Sequence, residues 1–243
     1  APRSMFKLKI VAKNRAERTQ LAKFIHLDLV DGDIVSSVVN EKDLQKIKEE
    51  LPHLKIMEEK GLTFRKEITT GESEFPGNDQ RFHTYQEVKA NLMKYHRRQK
   101  ALTQVFSIGK GHLGRDIWAV RISAVPKKDN KRIPAILFTG SHHAREHLST
   151  EVPMHLIYHL LDNYGKNETI TRLVKTREIY VIPMVNPDGA MYDIRNRYYH
   201  YWRKNRRENH DGSFGVDLNR NYSFGWGTGG SSKRPESDVY MGP

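Results

Sequence analysis

Seven consecutive residues, Ser141-His142-His143-Ala144-Arg145-Glu146-His147, hold three imidazoles, a carboxylate and a guanidinium. That mixture suits a metal site better than a hydrophobic core, because zinc takes neutral histidine nitrogen and carboxylate oxygen. The run follows the apolar stretch 135–138. His143 and Glu146, three residues apart, can point into one site where a buried strand gives way to a turn or the start of a helix. Active sites of open α/β sheets commonly lie at such strand ends.

Three further segments carry chemistry. Asn186-Pro187-Asp188-Gly189 follows a second apolar strand and reads as a tight turn. Residues 195–207 contain six Lys/Arg, four Tyr/Trp and no acid, a pattern also found on surfaces that bind single-stranded nucleic acid. Val216-Asp217-Leu218-Asn219-Arg220-Asn221 sets an amide beside a guanidinium, a pair suited to gripping a carboxylate.

In this order the pieces resemble the zinc carboxypeptidases of the pancreatic carboxypeptidase A/B type. The matching elements are His143-Ala-Arg-Glu146, Asn186-Pro-Asp-Gly, Tyr201-Trp-Arg203-Lys and Asp217-Leu-Asn219-Arg220-Asn221. The resemblance implies roles residue by residue. His143 and Glu146 match two protein ligands of the catalytic zinc, and Arg145 matches a substrate-contacting arginine. Arg203 matches the arginine that stabilises the oxyanion. Asn219 and Arg220 match the pair that binds the free C-terminal carboxylate of the substrate. Asp217 matches an acid that orients a zinc-bound imidazole. His142 and His147 match no ligand and read as neighbours of the site.

The family's third zinc ligand, a histidine, its substrate-covering tyrosine and its general-base glutamate lie downstream of the segment matching 231–243. The sequence is therefore read as the N-terminal part of a proenzyme, inactive as it stands. Two other readings compete. His143-x-x-Glu146-His147 matches the inverted-zincin pattern, in which both histidines and the glutamate sit on one helix; here strand-like residues precede His143 and helix signals start only at Ser149 or Thr150. A non-catalytic relative, or a module binding nucleic acid through 195–207, is the other; the role matched by Arg203 disfavours it.

The elements that must position these residues fall into three parts. Residues 1–58 read as βαββαβ, a ferredoxin-like unit: a strand at 5–11, a helix from the cap Asn14 to about Phe24, strands at 26–30 and 33–39, a helix capped by Asn40, and a strand at 54–56. The resemblance makes this unit an activation (pro) domain. Residues 59–81, rich in glycine and charge, read as a connector, with Arg65-Lys66 and Arg81 as cut sites for an activating protease. Residues 82–243 read as the N-terminal part of the zinc carboxypeptidase domain, a mixed sheet flanked by helices, in which strand 135–140 would be left with an unpaired apolar edge.

Composition bounds the rest. The 243 residues suffice for a sizeable core, there is no cysteine and hence no disulfide or thiolate ligand, and no apolar run reaches the length of a membrane span. Of the +12 net charge, residues 1–74 hold 14 basic against 13 acidic side chains, and 75–243 hold 27 against 16. A basic field attracts acidic partners of several kinds. The partners expected are peptide and protein C-termini and an activating protease, with no membrane. A secreted location is implied by the resemblance.

Overall fold

The computed structural model describes residues 5–25, 27, 29–62, 74–76, 79–124 and 133–243. It divides into two compact units, one made of residues 1–66 with 203–243, the other of residues 67–202.

In the first unit, β1 (Met5–Val11), α1 (Arg15–Leu21), β2 (Leu29–Asp31), β3 (Ile34–Asn40), α2 (Glu41–Glu50) and β4 (Lys55–Leu62) follow in the order βαββαβ. The antiparallel sheet has the order β2-β3-β1-β4. Period-two alternation turns Leu8 and Ile10 of β1 inward, where they meet Val35, Leu21, Leu44 and Ile47 in one core. Asn14 caps α1 by accepting from Glu17 N, and the helix stops at Leu21 instead of Phe24. β4 runs four residues past the boundary at 58 because its pairing with β1 continues to Met5↔Leu62. Arg65-Lys66 lie outside the described residues, whereas Arg81 is exposed.

Segment 203–243 belongs to this unit as well. Lys46 Nζ lies 2.7 Å from Glu236 and Arg234 3.1 Å from Glu50. The Arg234 guanidinium sits 4.8 Å from the Phe24 ring centre, and Ser237 Oγ donates to Lys23 O.

The second unit contains α3 (Tyr85–Arg98), β5 (Thr103–Lys110), β6 (Asp116–Ile122), β7 (Ala135–Thr139), α4 (Leu148–Asn163), α5 (Glu168–Thr176), β8 (Glu178–Ile182) and α6 (Pro187–Asp193). The sheet order is β5-β6-β8-β7, antiparallel except for the parallel pair β7–β8. It is the mixed sheet that the sequence implies. Val88 and Leu92 of α3, Ile157 and Leu161 of α4 and Val174 of α5 pack with Val120, Ile122 and Val181 of the sheet. Thr84 and Glu87 close a reciprocal capping box on α3. Glu178 of β8 meets Arg121 of the neighbouring β6 in a buried ion pair, and that guanidinium holds the carboxyl below its usual range.

Three local readings are corrected. α5 has no counterpart in the sequence reading; it is short, with only Ile170, Leu173 and Val174 as its apolar stripe, and is capped by Asn167. Residues 186–189 are the cap and first turn of α6, with Pro187 at the position where a missing N–H costs nothing. α4 starts at Leu148, ahead of Ser149, which puts Pro153 in its second turn. Pro153 cannot donate to Ser149 O, and that carbonyl instead faces Gly140. A Cβ on Gly140 would stand 2.1 Å from it, so only glycine lets the end of β7 approach α4 this closely.

The parallel β7–β8 pairing extends past both strands. Gly140 N donates to Ile182 O, Val185 N to Gly140 O and Asn186 N to Ser141 O. The Asn186 side chain then works in two directions. Its Oδ1 accepts from Gly189 N at 3.1 Å, capping α6, and its Nδ2 donates to His142 O at 3.0 Å. Asp188, also buried, accepts from Leu113 N and Arg115 Nη1, tying α6 to the β5–β6 turn. Asn-Pro-Asp-Gly thus fastens one turn to its neighbours on both sides.

β7 is the outer strand of this sheet. All five of its residues are exposed, with Leu137 at 58%. Leu148 and Val152 of α4 are exposed as well. An uncharged apolar edge of this kind templates strand addition. Leu137→Lys is therefore expected to lower concentration-dependent association of the chain, read by light scattering, while leaving its circular dichroism unchanged; undiminished association would refute the edge as its cause.

His83, just before the α3 cap, joins α3 to α4. Its backbone N–H and Nδ1 each lie 2.7 Å from a Glu151 oxygen, and Tyr158 OH lies 3.2 Å from Nε2. Bonding to Glu151 raises the imidazole pKa above 6.5 against the opposing effect of burial, with Glu87 adding to the rise. A raised histidine pKa gives stability that is complete below the unfolded value and lost as pH rises through the folded one. The thermal stability gap between the parent and His83→Gln should be widest at about pH 5.5 and shrink toward about pH 8.5. A gap constant across that range would show that the charge contributes nothing.

Candidate active site

The turn 141–147 leaves the end of β7 and runs into α4 without helical structure of its own. It begins at Ser141, a non-glycine residue in the left-handed region at φ 54°. That conformation costs free energy and persists only where the surroundings over-determine it. Here Ser141 N donates to Ser149 Oγ, Ser149 Oγ donates to Glu146 O, and Ser141 O accepts from Asn186 N. The backbone on both sides of His143 is held, from Ser141 and His142 before it and from Glu146 after it.

Within this frame His143 Nδ1 lies 2.8 Å from Glu146 Oε1. The imidazole is buried, while 43% of the Glu146 side chain is exposed. Two donor types that zinc accepts therefore lie side by side in the turn, and among the described residues no group of three metal-ligating side chains forms. Because 143–147 is a turn, the inverted-zincin arrangement, which needs these residues on one helix, does not occur.

Arg145 Nη1 donates to Tyr201 O, and Arg145 and Glu146 line a cavity of about 470 Å³ together with Phe82, His147, Tyr199 and Tyr201. His147 is fixed at the cavity wall: Nε2 lies 2.9 Å from Asp193 Oδ2, and Phe75 meets the ring edge-on. Asp193 is fully buried and its other oxygen accepts from Trp202 N. Asp193 was not singled out in the sequence, where nothing but its place at the end of α6 distinguishes it. Burial raises the Tyr199 and Tyr201 hydroxyl pKa values, and for Tyr199 the bond to Asp79 adds to it.

Arg203, Asp217, Asn219 and Arg220 belong to the first unit. Arg203 and Asp217 are both wholly buried. Arg203 donates through Nε at 3.0 Å and Nη2 at 2.9 Å to one oxygen of Asp217. The other Asp217 oxygen accepts from Asn219 N and caps the 3-10 turn Leu218–Arg220. Asp217 therefore neutralises Arg203 and starts the turn that carries the amide–guanidinium pair. Asn219 is exposed, and Arg220 is held by Gly230 O and Asn219 O. Both line a cavity of about 290 Å³ whose rim includes Tyr222, Thr228 and Ser231. Lys204 is buried against Pro235 O, and desolvation pushes its ammonium pKa down to about 8.

The centre of the basic and aromatic stretch is thus internal. Trp202, Arg203 and Lys204 are all buried, leaving a broken stripe in place of a continuous surface for stacked bases.

Residues 88–243 match the family model described as zinc carboxypeptidase. A curated zinc carboxypeptidase of Saccharothrix mutabilis subsp. capreolus is 41% identical over 157 residues, covering 65% of this chain and 36% of the relative. Metallocarboxypeptidase A of Trichophyton tonsurans is also 41% identical, over 163 residues, covering 66% and 37%. The chain thus spans little more than a third of the length of these relatives. Among solved structures, carboxypeptidase A from Helicoverpa armigera aligns with a TM-score of 0.74 at 21% identity, covering 99% of this chain and 63% of the other. Thrombin-activatable fibrinolysis inhibitor aligns with a TM-score of 0.68 at 22% identity, covering 98% and 64%. At those identities the structural likeness speaks for the fold alone. The family match over more than half of the sequence is decisive, and this chain belongs to the zinc carboxypeptidase family.

Proposed function

We propose that the protein containing this chain hydrolyses the last peptide bond of peptides and proteins, one residue at a time. The observation that carries the reading is the His143–Glu146 donor pair at the end of β7 in a chain of this family. Zinc, when bound, polarises the scissile carbonyl and activates water; His143 and Glu146 would hold it as two of its ligands. Arg145 contacts the substrate. Arg203 is the cation for the developing oxyanion, and removing one such donor costs about 2.7–4 kcal/mol in other enzymes. Asp217 keeps that guanidinium in place and starts the turn that presents Asn219 and Arg220. These two grip the terminal carboxylate, which restricts cleavage to chain ends, since an internal bond offers no carboxylate. Since no group of three metal-ligating side chains forms among the described residues, the chain alone is expected to bind zinc weakly and to hydrolyse nothing at a useful rate.

The βαββαβ unit is proposed as an inhibitory activation domain, released by a protease cutting in the 59–81 connector, with the exposed Arg81 as the favoured bond, and the protein as secreted. Among the described residues no helix is long and apolar enough to cross a membrane. The rival nucleic-acid reading loses support from the burial of 202–204.

The test uses the complete parent protein, cut near Arg81, with paired peptides ending in a free carboxylate or a carboxamide. Chelator-sensitive release of the C-terminal residue is expected. The amide should be at least about a hundredfold poorer in kcat/KM, because it leaves the Asn219–Arg220 grip unmatched. Absence of release, or equal rates on both peptides, would defeat the proposal.

A further inference from the structure

Two histidines outside the ligand turn share one face of α4. His155 and His159 are four residues apart, so the 3.6-residue repeat stacks one above the other. Both are exposed. Their rings are nearly parallel, 18° apart in plane, with centres separated by 6.1 Å. Asn163, one further turn along, donates from Nδ2 to His159 O at 2.9 Å and lies 3.4 Å from His159 Nδ1. The amide thus borders Nδ1 and leaves Nε2 as the ring nitrogen available to an ion. Both imidazoles edge a cavity of about 600 Å³ whose other walls include Phe138, Val152, Pro153 and Leu156. Among the described residues that line the cavity there is no lysine, arginine or carboxylate, so imidazole nitrogen is the donor type they offer to a metal ion.

We propose that His155 and His159 form a chelating site for a borderline divalent transition-metal ion, distinct from the His143–Glu146 pair. Imidazole nitrogen suits Cu²⁺, Ni²⁺ and Zn²⁺, with Cu²⁺ the strongest in the general order of stability, and does not suit Mg²⁺ or Ca²⁺. A bound ion needs each nitrogen at about 2 Å, so the two rings must tilt together from their present separation. Exposed side chains make such changes among staggered rotamers readily. The helix holds the second imidazole beside the first, which turns the second metal–nitrogen bond into an intramolecular step with a high effective concentration. An ion bound at 155 and 159 fastens successive turns of α4 and stabilises the folded state by mass action. The pair lies about two helical turns beyond the start of α4, on regular helix, so it does not share ligands with the turn that carries Glu146.

The experiment is a calorimetric titration of Cu²⁺ alone, then Mg²⁺ alone, into the parent chain, His155→Asn, His159→Asn and the double variant. His112→Asn, which removes an exposed histidine from the β5–β6 turn, is the control, and circular dichroism checks that each variant is folded. The proposal expects a Cu²⁺ equivalent in the parent and in the control with a two-nitrogen paramagnetic resonance signature. Its affinity should fall by about tenfold or more in each single variant, with no matching Mg²⁺ binding. Single variants that bind Cu²⁺ as tightly as the parent, or a double variant that keeps the same equivalent, would overturn it, as would equal binding of Mg²⁺.

Discussion

The second unit turns on the parallel pairing of β7 with β8 and its continuation beyond both strands. A parallel pair delivers two strand ends to the same edge of a sheet, and here those ends carry the turn with His143 and Glu146, and Asn186. Gly140, Ser141 and His142 are each hydrogen-bonded to the β8 side, and the last of these bonds comes from the Asn186 side chain. Because Asn186 is buried and also caps α6, loss of its amide would leave buried polar groups on two elements unsatisfied, at roughly 1–3 kcal/mol each. The His143–Glu146 geometry depends on this chain of bonds, which fixes the backbone on either side of a residue held in the left-handed region.

In the first unit a buried ion pair has a comparable place. Arg203 and Asp217 are both removed from water, a situation in which breaking one partner costs far more than the pair contributes net, about 3–5 kcal/mol. The same aspartate caps the Leu218–Arg220 turn, so the charge that compensates the arginine also sets the direction of the amide–guanidinium pair. In each unit one side chain serves two neighbours: Asn186 bonds His142 O and Gly189 N, and Asp217 bonds Arg203 and Asn219 N.

Much of this was legible in the sequence, for identifiable reasons. Alternation in 5–11 marked a strand at its observed position, and the mixture of residues at 141–147, too polar for a strand and lacking a helix cap, marked a turn. His143 and Glu146 face each other as their spacing implied. The readings that failed involved tertiary contacts. Asn186-Pro-Asp-Gly has every local mark of a tight turn, and only the bonds to His142 O and Arg115 reveal a helix start used as a clamp. α5 was hidden because three apolar residues in nine leave little periodicity to detect. Lys46–Glu236 and Glu50–Arg234, ion pairs between residues nearly two hundred positions apart, are contacts of the first unit that no local pattern announces. Asp193 escaped notice for the same reason, its partners being His147 and the Trp202 backbone.

The claim that the strand-end clamp presets the donor pair is open to one direct measurement. Zn²⁺ affinity can be compared between the parent and Asn186→Ala, both carrying His155→Asn and His159→Asn so that α4 contributes no histidine ligands, with circular dichroism confirming that each is folded. Support for a ligand from its neighbours commonly changes metal affinity tenfold or more. The account predicts a weak site that His143→Asn abolishes and that Asn186→Ala weakens by about tenfold; equal Zn²⁺ affinity with and without the Asn186 amide would contradict it.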